Sequence, residues 1–367
     1  MRLGGSPSRR SALRLILGSF GAAPMLPGAL LLRGAAARAA TAMAAVPFPN
    51  GAAVMVAGTQ DGPLDHWASA LMPALAHALP PGTRVSKQNA IGNDGVTGAN
   101  QFTALAVPDG ATALLVPGAA ATAWLVGDPR VHFDMASWIP AMNALAPAAL
   151  VGTVPLSALG PNQSPRIAAA GPIGPDLPAL LALDLLGTNF TAVFGLGEPA
   201  QALEALRDGA VDLIFVHGED VPERTRALAA AGAAPLFSFG AVNAAGQPTR
   251  DPLMPDVPSL EEVSLSLFGH PPRGKLLGAW KAAAAATTLD YALVLPALTP
   301  PDIVGLWRSM SATMAASPAV HALAEATSVR IETTPNADSG TIAVAASAAT
   351  LLTLRGWLAS RFGWDPT

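Results

Sequence analysis

The sequence predicts an α/β protein folded as two lobes of similar size. Two observations carry this. Short apolar strands alternate with amphipathic helices from residue 52 to residue 117, and the same alternation restarts at residue 166. Each βαβαβ run implies a parallel sheet with helical crossovers. A third observation sets the extent of the fold. The first 39 residues read as an export signal, and the chain from Ala40 to Thr367 is long enough for two domains of about 150 residues each.

In the first run, "AAVMVAG" (Ala52 to Gly58) is a strand. "PLDHWASALMPALAHAL" follows as a helix, because Leu64, Trp67, Leu71, Leu75 and Leu79 fall at spacings of three and four. Asp65 lies in its first turn, where the helix dipole favours a carboxylate. "GTRVSKQ" is a short strand. "GANQFTALAV" is a helix beginning near Gly98 and stopped by Pro108-Asp109-Gly110, and "ATALLVP" is the next strand.

In the second run, "RIAAAG", "FTAVFG" and "AVDLIFVHG" are strands. The helices between and after them are "PDLPALLALDLLG", "PAQALEALRDG" and "VPERTRALAAAG". Periodicity is then lost until "ALVLPAL", a strand. Two helices follow, "PPDIVGLWRSMSATMAAS" and "PAVHALAEATS", and a last long helix is expected from about Ser339 to Phe362.

The amino-terminal segment has a basic n-region (Arg2, Arg9, Arg10, Arg14), an apolar stretch from Leu15 to Leu32, and the small-residue pattern "ARA" ending at Ala39. The paired arginines of "SRRSALR" point to the twin-arginine export route. No later apolar segment is long enough to span a bilayer, so no stable membrane insertion is expected after cleavage. "TIAVAASAATLLTL" (Thr341 to Leu354) is too short and reads as a buried helix.

The chain has no cysteine, which excludes disulfides and thiolate chemistry. Charged residues make up 13% with a net charge of −4 and no basic cluster after residue 39, which argues against nucleic acid as a partner. The six histidines form no metal-ligand motif, so no metal and no cofactor are expected. "GNDGVTGAN" (Gly92 to Asn100) lacks the lysine of a P-loop, and no G-x-S-x-G elbow exists. Asp61, Asp65 and Asp176 could pair as acid and base, but such aspartates more often cap helices.

Glycine-bearing turns at three helix starts remain: "GTQDGPLD", "GNDGVTGAN" and "AGPIGPDLP". Backbone N–H groups at such starts bind carboxylates without a cationic side chain. In open α/β sheets, ligands lie at the carboxyl ends of the strands. Together these features point to a shared cleft between two lobes of an exported protein.

Six segments, in order, resemble the substrate-binding proteins of tripartite tricarboxylate transporters, the Bug family. They are "GVTGANQFTALAVPDGATALLV", "HFDMASWIPA", "AAAGPIG", "ALRDGAVDLIF", "LMPDVPSLEEV" and "LPALTPPDIV". The resemblance implies a type II periplasmic-binding-protein fold, two Rossmann-like lobes with a ligand cleft between them. Residues 47–145 and 285–367 would form lobe 1 and residues 146–284 lobe 2. It implies a periplasmic monomer, not an enzyme, that captures a small organic acid and delivers it to membrane permease subunits. A signalling partner or an exported hydrolase is the alternative. The ligand contacts it implies are Gly58, Gly62, Leu64, Asp65, Gly95, Gly118, Gly171, Ile173, Gly174 and Asp176. The pattern departs where Pro63 removes an N–H, where "VFGLG" replaces V-P-Y-K-G, and where Val216 and His217 stand at the family's aspartate. These changes imply a less polar pocket than the family's.

Overall fold

The computed structural model describes residues 48–240, 249–338 and 344–364. The export signal, with its twin arginines and cleavage pattern, lies outside the described residues.

Two mixed sheets form the frame. In the first, β1 (Ala52–Val56), β2 (Val85–Asn89), β3 (Thr112–Pro117), β4 (Ile139–Leu145), β10 (Leu289–Leu295) and β11 (Arg330–Thr333) take the order β11-β4-β10-β3-β1-β2. In the second, β5 (Ala148–Gly152), β6 (Arg166–Ala169), β7 (Thr191–Phe194), β8 (Leu213–His217) and β9 (Ala234–Ser238) take the order β7-β6-β8-β5-β9. The three strands of each βαβαβ run pair in parallel. Each run is then joined by an antiparallel strand that enters from the other half of the chain, β10 beside β3 and β5 beside β8. This reciprocal exchange gives both lobes one topology. It also stitches the seam: Ala146 N–H donates to Thr288 O at 2.8 Å and Gly218 N–H to Pro147 O at 3.1 Å.

The amphipathic helices form where spacing places them. α1 (Pro63–Ala78) buries Leu64, Trp67, Leu71 and Leu75, with Leu79 just beyond its end. α2 (Val96–Leu105) starts two residues before Gly98, on Gly95, whose φ of 78° no β-carbon would favour. α4 (Leu177–Leu185), α5 (Pro199–Arg207), α6 (Val221–Ala229), α9 (Pro301–Ala315) and α10 (Pro318–Ala326) fall within the segments that predict them.

Three helices lie outside the segments that the sequence marks as helical. α3 (Gly118–Val126) is apolar and buried along nearly its whole length. α8 (Leu277–Thr288) is an alanine-rich helix buried on most sides. α7 (Leu260–Phe268) follows a capping box in which Ser259 and Glu262 satisfy each other's backbone N–H. The last helix differs from its prediction. Ala345 to Ser347 are not helical, and α11 spans Ala348–Phe362, starting where Ser347 accepts from Thr350 N–H. Thr341 to Leu354 is therefore not one buried helix, and residues 339–343 lie outside the described residues.

The cores explain how the lobes are held. On one side of the seam a single apolar cluster runs from Trp124 of α3 through Trp280 of α8 to Leu180 of α4 and Trp357 of α11. On the other side two separate clusters face each other, one around Trp67 and Trp307 and one around Val216 and Leu228.

Candidate functional site

The carboxyl end of β3 meets those of β6 and β8 at this seam, with the end of β1 beside it, as the switch-point rule places ligands in open sheets. Two connected chambers lie there. One, of about 370 Å³, is lined by Gly58, Thr59, Gly62, Leu64, Trp67 and Asn93. The other, of about 480 Å³, is lined by Gly118, Ile173, Gly174, His217, Thr287 and the Arg130 cluster, among others. Pro117 and Asp290 line both. A larger groove of about 930 Å³ lies between the flanks of α6 and α10, away from the β1, β3 and β6 corners.

Six of the ten sequence-predicted residues line a chamber. Gly58, Gly62 and Leu64 do so in the first, and Gly118, Ile173 and Gly174 in the second. Of the other four, Asp65, Asp176 and Gly95 stand behind the walls and Gly171 faces open space. Asp65 accepts from Lys87 Nζ at 2.6 Å, Asn89 Nδ2 at 2.7 Å and Asp61 N–H at 3.2 Å. Burial opposes its charge, but these donors and the Lys87 charge outweigh burial and hold the carboxyl below its ordinary range. Asp65 thus fixes the β1–α1 corner. Asp176 accepts from Ala170 N–H at 2.7 Å and closes the β6–α4 corner in the same way. It has no ion pair among the described residues, and burial pushes it up to about 6. Gly95 is buried under the β3–α3 corner, where an added β-carbon would sit 2.6 Å from Pro117 Cδ. Gly171 lines neither chamber, and an added β-carbon there meets nothing within 4 Å.

Gly118 has a packing role as well. A β-carbon would lie 2.1 Å from Ala286 O and 2.2 Å from Leu289 O, so only glycine lets α3 start against the end of α8. The N–H groups of the first turn of α3 have no intrahelical acceptors, and they open toward the second chamber.

Sequence reasoning missed several cleft residues. Trp67, read as part of the core stripe, donates through Nε1 to Glu219 Oε1 at 3.1 Å and so joins α1 to the β8–α6 corner across the seam. Asp290, second in β10, is pushed up to about 7 by burial, with the Glu219 charge adding and the Trp67 N–H opposing. Arg130 pairs with Asp128 and with Asp94, at 2.6 Å and 2.8 Å. His217 stacks on Phe215 at 5.5 Å, and its desolvation holds the imidazole neutral, pushed down to about 4. No sequence signal links residues 67, 219 and 290; the exchange of β10 and β5 between lobes does.

Among the described residues no group of histidines and carboxylates could hold a metal ion, and no helix is long and apolar enough to cross a membrane. No family model matches the chain, and no curated protein matches it. Solved structures do. A TctC solute-binding protein from Polaromonas superposes with a TM-score of 0.63 at 16% identity, over 85% of this chain and 99% of that one. The periplasmic binding protein BugD matches at TM-score 0.46 and 19% identity, over 85% and 96%. MatC from Rhodopseudomonas palustris with bound malate matches at TM-score 0.46 and 20% identity, over 84% and 98%. The first of these establishes the fold: two lobes of the type II periplasmic-binding-protein kind.

Proposed function

We propose that the chain is a divergent Bug-family solute-binding protein, exported to the periplasm, that takes a small carboxylate into the cleft between its lobes. The observation that carries this reading is the convergence of β→α corners from both lobes on two joined chambers. The start of α3 supplies amide donors from one lobe and the Ile173–Gly174 turn faces them from the other. The six ordered sequence segments and the fold shared with a TctC solute-binding protein support it.

Binding in such a cleft is desolvation of the carboxylate against fixed N–H dipoles, with the lobes moving together around it. No covalent step is involved, and the chain acts as a monomer that hands its ligand to membrane permease subunits. The sheets meet on one side through a continuous core. Closure is therefore a movement of the side where the Trp67 and Val216 clusters face each other.

Thermal-shift titration of the purified protein with mono-, di- and tricarboxylates and with amino acids tests the reading. A ligand stabilises by RT ln(1 + [L]/Kd), so saturation with the right compound raises Tm in a concentration-dependent way. Absence of any shift across the panel, with cooperative unfolding retained, overturns it.

A further inference from the structure

The groove of about 930 Å³ between α6 and α10 has no part in the two chambers. Both lobes wall it. From the second come Val221 at the start of α6 and Leu253, Met254 and Val257 after β9. From the first come Ala324 of α10 and Val329 just before β11. Leu253 is 39% exposed, so this wall is open to a ligand from solution. The linker that carries β4 into β5 divides the groove from the chambers. Ala146 lines the second chamber, and Pro147, the next residue, lines the groove.

The charges around the groove are unequally answered. Glu325 meets His321 Nε2 at 3.3 Å, Arg330 is paired with Glu332, and Asp256 lies beside Arg250. Arg226 is the exception. Its Nε donates to Pro222 O at 3.2 Å, and among the described residues no carboxylate lies within ion-pair reach of its guanidinium. On the opposite wall, Arg330 Nε is buried and has no acceptor among the described residues. The groove therefore presents N–H donors that lack acceptors, one arginine from each lobe, set in apolar surface.

We infer that this groove is a second ligand site, for an amphipathic monoanion. The carboxylate lies at Arg226 and the apolar body lies along Leu253, Met254 and Val329. An apolar body matches the walls, and a single negative charge matches the one guanidinium without a counter-charge. The site is separate from the cleft of the solute-binding reading and does not depend on it. A body held there touches both lobes on the far side of the Ala146–Pro147 linker from the chambers, and so resists any change in the angle between the lobes.

Isothermal titration with hexanoate, octanoate and decanoate, each below its micellar concentration, tests the inference, with octan-1-ol as the uncharged control. Ile173→Trp, which fills the second chamber, isolates the groove. In that variant decanoate should bind at one site per chain. Affinity should rise about ten-fold for each two added methylenes, as burial of the alkyl chain requires. Arg226→Gln should weaken octanoate by about five-fold and leave octan-1-ol unchanged. Leu253→Asp should weaken all three acids by at least as much. Arg226 and Leu253 are both exposed, so both variants should fold. Decanoate binding that disappears in Ile173→Trp and survives in Arg226→Gln and Leu253→Asp would place the acid in the cleft and overturn the inference. So would the absence of decanoate binding, or octan-1-ol binding as tightly as octanoate.

Discussion

Each lobe buries one aspartate at the start of a helix beside the cleft, and folding shifts the two carboxyls in opposite directions. Asp65 of the first lobe receives Lys87, Asn89 and a backbone N–H and is held ionised. Asp176 of the second lobe receives the Ala170 N–H, and burial pushes it up to about 6 with no cation in contact among the described residues. A carboxylate at a helix start is thus not one kind of residue. Its neighbours in the sheet decide whether it is a fixed charge or a titrating one. The first-lobe corner is bolted to β2, whereas the second-lobe corner closes through a group that changes protonation just below neutral pH.

The strongest way to break this comparison is to remove the ion-paired member. Asp65→Ala leaves the Lys87 and Asn89 donors without their carboxylate, and should cost about 3 kcal/mol in urea unfolding. Asp176→Ala should cost less, about 1 kcal/mol, since it removes a partner from one backbone N–H. Equal losses would show that the two corners are held alike.

The pH dependence sharpens the contrast further. The Asp65 pKa is lowered on folding, so its contribution is present above the unfolded value near 4 and is lost as pH falls through the folded value. The Asp176 pKa is raised, so its contribution is complete below about 4 and is lost as pH rises through about 6. Stability measured between pH 4 and pH 8 should therefore show Asp176→Asn gaining on the wild type as pH rises. Asp65→Asn should lose ground on the wild type as pH rises to about 4 and keep a near-constant deficit above that.

Two glycines contrast in packing in the same way. Gly118→Ala drives a methyl into Ala286 O and Leu289 O and should cost about 1–3 kcal/mol in unfolding free energy. Gly171→Ala meets open space and should stay within about 0.5 kcal/mol of the wild type.

Much of the frame was legible in the sequence, because it rests on periodicity and on glycine or proline stops. The stripe of α1, the parallel strands β1 to β3, and the β6-to-α6 run are all of this kind. The helices α3 and α8 were not legible. A helix buried on most sides carries no polar face, and its row of alanines reads like a linker. The two chains of residues that cross the seam, β4 into β5 and α8 into β10, were therefore only partly foreseen. The final helix was drawn too long because an apolar, alanine-rich run hides the break at Ala345 to Ser347.

The site followed the same division. Glycine corners announce themselves, and six of the ten residues that the family resemblance implies line the chambers. Asp65, Asp176 and Gly95 shape those corners from behind. Trp67, Glu219 and Asp290 come from three distant parts of the chain, and the topology alone brings them together.

The most direct test of the cleft as the binding site is calorimetric titration of wild type and of Ile173→Trp with whichever small carboxylate raises Tm in the thermal-shift titration. Ile173 is half-buried on the second-lobe wall, and a larger ring there fills the chamber that faces α3. The account predicts one site per chain in the wild type and no measurable binding in Ile173→Trp, with Tm unchanged without ligand. Undiminished binding by a folded Ile173→Trp protein would place the ligand elsewhere and contradict it.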